Sequence, residues 1–101
     1  MKVTVEISKI FKDRTDMLKA ATNVILEDNE GERFVIKNVR VVDGEHGPFM
    51  SLPSRRNVNN EYKEICYPLS ANLRKRMSES VLKAYTAAVE ADGQNGPPPA
   101  A

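Results

Sequence analysis

Residues 39–56 read VRVVDGEHGPFMSLPSRR, and this stretch decides the fold because two strands, a turn and a basic segment follow one another in it. Val39 and Val41 alternate with Arg40, which is the period-two pattern of a strand packed on one face. Asp43-Gly44 ends this strand, since glycine accepts positive φ without a Cβ clash. The stretch therefore begins as a strand that turns back on itself.

The second part of the stretch resumes strand character at 49–52, with Phe49 or Met50 pointing inward. Pro53 ends the strand because proline removes a hydrogen-bond donor from the ladder. Ser54-Arg55-Arg56 follows at once and is predicted to be a basic loop that the sheet holds in place. Loops of this kind often carry binding residues.

The sequence before residue 39 predicts three further strand segments, at 1–10, 18–27 and 34–36, with a bulge at Lys37-Asn38. The predicted turns are 11–17 and 28–32. The residues expected to point inward are Val3, Val5, Ile7, Val24 and Leu26. Short connections do not permit parallel crossovers, so this half is predicted to be an antiparallel meander.

The sequence after residue 56 predicts a mobile polar segment at 57–60, a short strand at 62–67 and one long helix. Ser70 is a suitable N-cap, and the helix is placed from about Ala71 to Ala91. Its apolar stripe consists of Leu73, Met77, Val81, Ala84, Tyr85 and Ala88. Asp92-Gly93 is predicted to end the helix, and the Gly/Pro-rich tail at 92–101 is predicted to be disordered.

These elements predict an α+β fold, in which a twisted antiparallel sheet of four to six strands carries the helix on one face. The 101 residues suffice for one domain, placed at 1–91. No apolar run approaches the length of a membrane span, and the N-terminus alternates instead of forming a signal-peptide core. We therefore expect a cytoplasmic protein without a membrane partner.

The chain lacks a recognisable catalytic or metal-binding constellation, so no enzyme, cofactor, metal or small-molecule substrate is expected. His46 is the single histidine and Cys66 the single cysteine, which cannot together make a usual zinc site. Cys66 is interpreted as a buried small hydrophobe, ahead of a reactive thiol or an intermolecular bridge. The carboxylates at 27–32 are interpreted as a solvated turn.

The positive charge of the chain is concentrated in its middle. Residues 54–76 hold six Lys/Arg against two Asp/Glu, whereas the segments before and after are slightly acidic. Cations in the first turns of a helix oppose its dipole, so local stability does not explain them, and they are candidates for binding phosphates. The alternative is a solvated helix face that pairs with Glu79. The candidate nucleic-acid-binding residues are Arg55, Arg56, Lys63, Arg74, Lys75 and Arg76.

The run VVDGEHGPFMSLPSRR at 41–56, followed by YKEICYPL at 62–69, resembles the stage V sporulation protein G (SpoVG) family. Members carry an Ile-Asp-Gly turn, a Gly-Leu-Phe segment, a Met-Pro-Ser-Lys-Arg stretch and an Ala-His-Pro-Ile segment, and the resemblance covers roughly residues 1–90. This chain departs from that pattern at Pro48, Leu52, Arg55 and Tyr67. The resemblance implies a small dimeric regulator that binds DNA and RNA and is connected with sporulation, septation and control of gene expression.

The predicted sheet leaves open strand edges at 49–52 and 62–66, and pairing between two copies would remove them. A homodimer is therefore expected, as the resemblance also implies. The alternative function is a protein-interaction adaptor that affects cell division through its sheet edge or apolar surface, without contacting nucleic acid. The two hypotheses differ in whether the basic side chains need to converge in space.

Overall fold

The computed structural model describes residues 1–11 and 17–95 of the chain. They form a four-stranded antiparallel sheet, a separate two-stranded hairpin and one helix, so the predicted α+β class is confirmed. The elements are β1 (Lys2–Ile10), β2 (Leu18–Glu27), β3 (Arg33–Gly44), β4 (Gly47–Ser51), β5 (Ser54–Arg56), β6 (Tyr62–Glu64) and α1 (Ala71–Asn95). No helix in the described ranges is long and apolar enough to cross a bilayer.

The sheet has the strand order β1-β2-β3-β4, which confirms the predicted meander. In the turn between β2 and β3, a side-chain oxygen of Asp28 accepts hydrogen bonds from the backbone N–H groups of Glu30 and Glu32, each at 2.9 Å. Gly31 has a φ of 82°, which favours glycine at that position. Local hydrogen bonds and one glycine thus fix the direction in which β3 leaves the turn.

The predicted bulge at Lys37-Asn38 is confirmed by the register of β2 and β3. Thr22 pairs with Val39 and Val24 with Ile36, so one residue of β2 lies opposite two of β3. Asn38 has a φ of 62°, a conformation that asparagine tolerates better than most residues. The extra residue changes which side chains of β3 face the helix.

The β3–β4 connection is a tight two-residue loop, because Gly44 pairs with Gly47 across it. A Cβ atom at Gly44 would lie 2.8 Å from the Phe49 ring, so a side chain at this position would require the ring to shift. Met50 packs against the core, while Phe49 lies on the opposite face of the sheet and is about half exposed. Of the two alternatives for the inward residue, the structure therefore has Met50.

The core lies between α1 and one face of the sheet. Val24, Val39 and Val41 contribute from the strands, and Met77 and Val81 contribute from the helix. Thr22 is also fully buried, but its hydroxyl donates to the Val39 carbonyl at 2.8 Å, so no polar group is left unsatisfied there. The helix begins as predicted, because Ser70 Oγ accepts from the backbone N–H of Leu73 at 3.1 Å.

The structure differs from the sequence-based expectations at several places. Residues 54–56 form β5 instead of a loop, since their backbone pairs with β6. The strand predicted at 62–67 ends at Glu64, and Cys66 is only half buried. The helix continues past Asp92-Gly93 to Asn95, because a single glycine lowers helix stability without forcing an end.

Two predictions fall partly or wholly outside the described residues. Most of the turn predicted at 11–17 falls on residues 12–16, which lie outside them. The tail predicted to be disordered begins at residue 92; the structure continues α1 to Asn95, and 96–101 lie outside the described residues.

Candidate functional site

The predicted basic residues Arg55, Arg56 and Lys63 lie on the hairpin formed by β5 and β6. Arg55 is directly opposite Lys63, and Arg56 is directly opposite Tyr62. Directly opposite residues of an antiparallel pair point to the same face, whereas neighbours along a strand point to opposite faces. Arg55 and Lys63 therefore share one face of the hairpin, and Arg56 and Tyr62 share the other.

The turn of the hairpin holds these strands in register. A side-chain oxygen of Asn57 accepts from the backbone N–H groups of Asn59 and Glu61, at 2.8 and 3.0 Å. The N–H of Asn57 donates to the Glu61 carbonyl at 2.9 Å, and Asn60 takes a φ of 63°. The segment predicted to be mobile is thus a hydrogen-bonded turn, and its asparagines place the cations across from one another.

Arg56 and Tyr62 form a cation–π pair. The guanidinium carbon lies 5.3 Å from the ring centroid, and Nη2 donates to the phenol oxygen at 3.3 Å. Such a pair at an exposed site contributes about 0.5–1 kcal/mol. The contact presents a flat cation and an aromatic ring together on the surface.

Arg74, in the first turns of α1, reaches across to the same hairpin. Its guanidinium donates two hydrogen bonds to the Glu64 carboxylate, with nitrogen–oxygen distances of 2.8 and 3.3 Å. This hydrogen bonding to Glu64 raises the pKa of the Arg74 guanidinium, with the carboxylate charge adding in the same direction. These two hydrogen bonds link the start of α1 to β6.

Lys75 and Arg76 point elsewhere. Lys75 Nζ lies 4.0 Å from a carboxylate oxygen of Glu79, one turn along the helix, as the solvated-face interpretation predicts. Arg76 donates to the backbone carbonyl of Met1, a neutral acceptor. Four of the six candidate cations thus gather around the hairpin, and two lie on other parts of the surface.

Carboxylates compensate only part of this charge. Arg74 pairs with Glu64, Lys75 with Glu79, and Lys63 lies 3.9 Å from Glu61. The other three candidates are Arg55, Arg56 and Arg76. In the part of the chain that the structure describes, no carboxylate lies within ion-pair distance of them. Free positive charge therefore remains on both faces of the hairpin.

Sequence reasoning did not single out Tyr62 or Glu64 as parts of this surface. Tyr62 is 69% exposed beside Arg56, and Glu64 neutralises Arg74. The sequence signal for this hairpin was a pair of short segments, 54–56 and 62–64, on either side of an asparagine-rich turn. A hairpin register through that turn would have placed Arg56 opposite Tyr62.

An apolar groove of about 430 Å³ lies beside the start of α1. Its walls include Phe34 from the sheet and the segment 66–70, and Leu69 and Tyr67 are largely exposed there. Exposed apolar patches of this kind often mark contacts with another protein. The groove is therefore a candidate interface, and none of the six candidate cations lines it.

The acidic turn between β2 and β3 brings Asp28, Glu30 and Glu32 together, with potential ligand oxygens within 4.8 Å of one another. All three are exposed, and hydrogen bonds within the turn account for the position of Asp28. His46 is exposed in the β3–β4 loop.

Comparisons with known proteins agree on one family. The SpoVG family model matches residues 1–87. Three curated relatives bear the name "Putative septation protein SpoVG". The protein from Acholeplasma laidlawii is 32% identical, covering 91% of this chain and 93% of its own length. The protein from Macrococcus caseolyticus is 38% identical over 89% of this chain and 76% of its own length.

The third relative, from Treponema denticola, is 36% identical over 79% of this chain and 85% of its own length. The family model spans β1 to β6 and most of α1, including the hairpin and all six candidate cations. The motifs at 41–56 and 62–69 therefore lie within the match. The chain belongs to the SpoVG family.

Proposed function

We propose that this protein is a small nucleic-acid-binding regulator, acting on DNA or RNA in septation and sporulation. The observation that carries the proposal is the gathering of four candidate cations around one exposed hairpin, where Arg55 and Arg56 have no carboxylate partner among the described residues. The names of the relatives support the septation context.

The physical basis is the release of counterions from the phosphate backbone. Each phosphate that a cation neutralises releases condensed counterions, so affinity falls steeply as salt rises. An exposed arginine also presents a planar fork of donors suited to phosphate oxygens. Backbone contacts of this kind orient the protein but do not read sequence.

The proposal includes a homodimer. The open edge of β4 and the apolar groove supply surface that a second copy would cover.

Light scattering on gel-filtered protein tests the dimer. We expect about twice the chain mass, because pairing would cover a strand edge and exposed apolar side chains. A monomeric mass at tens of micromolar would refute this part of the proposal without bearing on the hairpin.

Fluorescence anisotropy with a labelled duplex, repeated across several salt concentrations, tests nucleic-acid binding. The variant is Arg55→Ala with Lys63→Ala, which removes two cross-strand neighbours from one face of the hairpin. Both side chains are exposed, so the free energy of unfolding should change by only about 0.5 kcal/mol. If each cation contacts a phosphate, the slope of log affinity against log salt should fall in magnitude by roughly 1.8.

The matched control is Lys2→Ala with Lys83→Ala, which removes the same charge from exposed positions on α1 and on β1, the sheet edge opposite β4. We expect the control to keep the slope of the unmodified protein. Equal slopes in all three proteins would refute binding through the hairpin.

A protein-interaction adaptor is the second candidate, and the apolar groove beside Leu69 favours it. An adaptor does not need the hairpin cations to face phosphate. Absence of binding to any duplex or single strand at low salt would favour this function over the first.

A further inference from the structure

A second cleft, of about 420 Å³, lies between the β3–β4 pair and the β5–β6 hairpin. Its lining includes Asn38, Arg40, Ser51, Ser54, Tyr62 and Ile65. None of the described residues that line it carries a carboxylate, so none of them neutralises the charge of Arg40. The cleft thus combines a cation, an aromatic ring, an amide and two hydroxyl groups.

The fold places these groups for identifiable reasons. Arg40 and Ser51 are cross-strand partners, on the face of the sheet away from α1. Asn38 is the bulge residue with positive φ, immediately before the part of β3 that pairs with β4. Tyr62 comes from the other sheet, with Arg56 over its ring. Residues of the four-stranded sheet and of the two-stranded hairpin therefore line one cleft.

We propose that this cleft receives an unpaired base of a single-stranded nucleic acid, a ligand class that rests on the nucleic-acid binding proposed above. The Tyr62 ring stacks on the base, and Arg40 contacts the adjoining phosphate. The Asn38 amide, which both donates and accepts, pairs with the base edge. The Ser54 hydroxyl donates to the Leu52 carbonyl at 2.9 Å, so its oxygen stays available as an acceptor.

The chemistry favours a single strand over a duplex. A base inside a duplex is stacked and paired, so its faces are not available to a protein ring. Every unpaired base has a π face, so stacking on tyrosine tolerates any sequence. Tyr62 is 69% exposed although Arg56 lies over its ring, so ring surface remains for a base.

The test compares Tyr62→Ala with Tyr62→Phe, measuring anisotropy with a labelled single strand and with a duplex of the same sequence. Tyr62→Ala should weaken single-strand binding by roughly 5- to 150-fold, the range that base–aromatic stacking supplies. Tyr62→Phe keeps a ring and should retain single-strand affinity. Duplex affinity should change little in either variant, because no base leaves the stack.

Two further measurements isolate the stacked base. A single strand with abasic residues should bind the unmodified protein more weakly than the intact strand does. Tyr62→Ala should cause no further loss of affinity for the abasic strand. The chain has three tyrosines and no tryptophan, so quenching of tyrosine fluorescence reports stacking directly. This quenching should be smaller in Tyr62→Ala.

Arg40→Gln provides an independent variant, should Tyr62→Ala fail to fold. It should weaken single-strand binding and lower the salt slope by roughly 0.7 in magnitude. The cleft proposal is overturned if single-strand affinity is unchanged in both variants, or if Tyr62→Ala weakens duplex and single strand equally. Failure of the unmodified protein to bind either ligand would instead overturn the proposed function itself.

Discussion

Glu64 offers a test of whether Arg74 can take part in phosphate binding, because the Glu64 carboxylate accepts two hydrogen bonds from the Arg74 guanidinium. Replacing Glu64 with glutamine keeps the size of the side chain and removes the charge. The two side chains are 35% and 44% exposed, so solvent screens their attraction. An exposed pair of this kind contributes about 0–1 kcal/mol, and the loss should lower the melting temperature by no more than about 4–8 °C.

The expected effect on binding has the opposite sign. Glu64→Gln frees Arg74 to contact a phosphate and raises the net charge of residues 54–76 from +4 by one unit. One added contact should increase the magnitude of the salt slope by roughly 0.9. Between 50 and 200 mM salt, the variant should therefore lose about 3.5-fold more affinity than the unmodified protein.

Anisotropy titrations with a duplex across that salt range measure the difference. Glu27→Gln is the matched control: Glu27 is also 35% exposed, and its partner Arg33 lies 3.6 Å away across the β2–β3 turn. Both variants change the net charge equally, but only Glu64→Gln changes a residue of the hairpin. Equal slopes in the two variants would refute a role for Arg74 at the interface.

Two further predictions concern the framework that carries the hairpin. Met77→Ala should lower the free energy of unfolding by about 2–5 kcal/mol, because Met77 is 1% exposed in the core. Thermal unfolding measures this loss, and Met77→Leu should cost less than about 1.5 kcal/mol. Ser70→Ala should cost about 1 kcal/mol, since its hydroxyl caps the helix. Ser70→Asp should retain most of that stability in the same assay, and equal losses in both variants would argue against capping.

The sequence predicted the meander and the helix well because each long element carries its own periodic pattern. Val3 and Val5 alternate with polar residues, and Met77 and Val81 stand one helical turn apart. The bulge at Lys37-Asn38 was also predictable, since the strand pattern is interrupted there. Local patterns suffice where an element is long enough to repeat them.

The hairpin could not be predicted in the same way. A strand of three residues, such as Ser54–Arg56, is too short to show a period, and its pairing depends on a turn that Asn57 organises. The charges of the candidate site were evident, but their partners were not. Arg74 finds Glu64 ten residues earlier, a contact that only the tertiary fold creates.

The separation of the β5–β6 hairpin from the main sheet has a consequence for how the molecule opens. Among the described residues, β5 and β6 pair only with each other, and two short strands are marginally stable alone. The hairpin extends its own ladder by one pair through the Ile65 N–H to Pro53 carbonyl bond, and it is tied to α1 by the Arg74–Glu64 pair. Its amide hydrogens should therefore exchange through local opening, while those of β2 and β3 exchange only when the whole domain unfolds. Substitutions in residues 54–64 can consequently change the side chains of the hairpin with little effect on the stability of the main sheet.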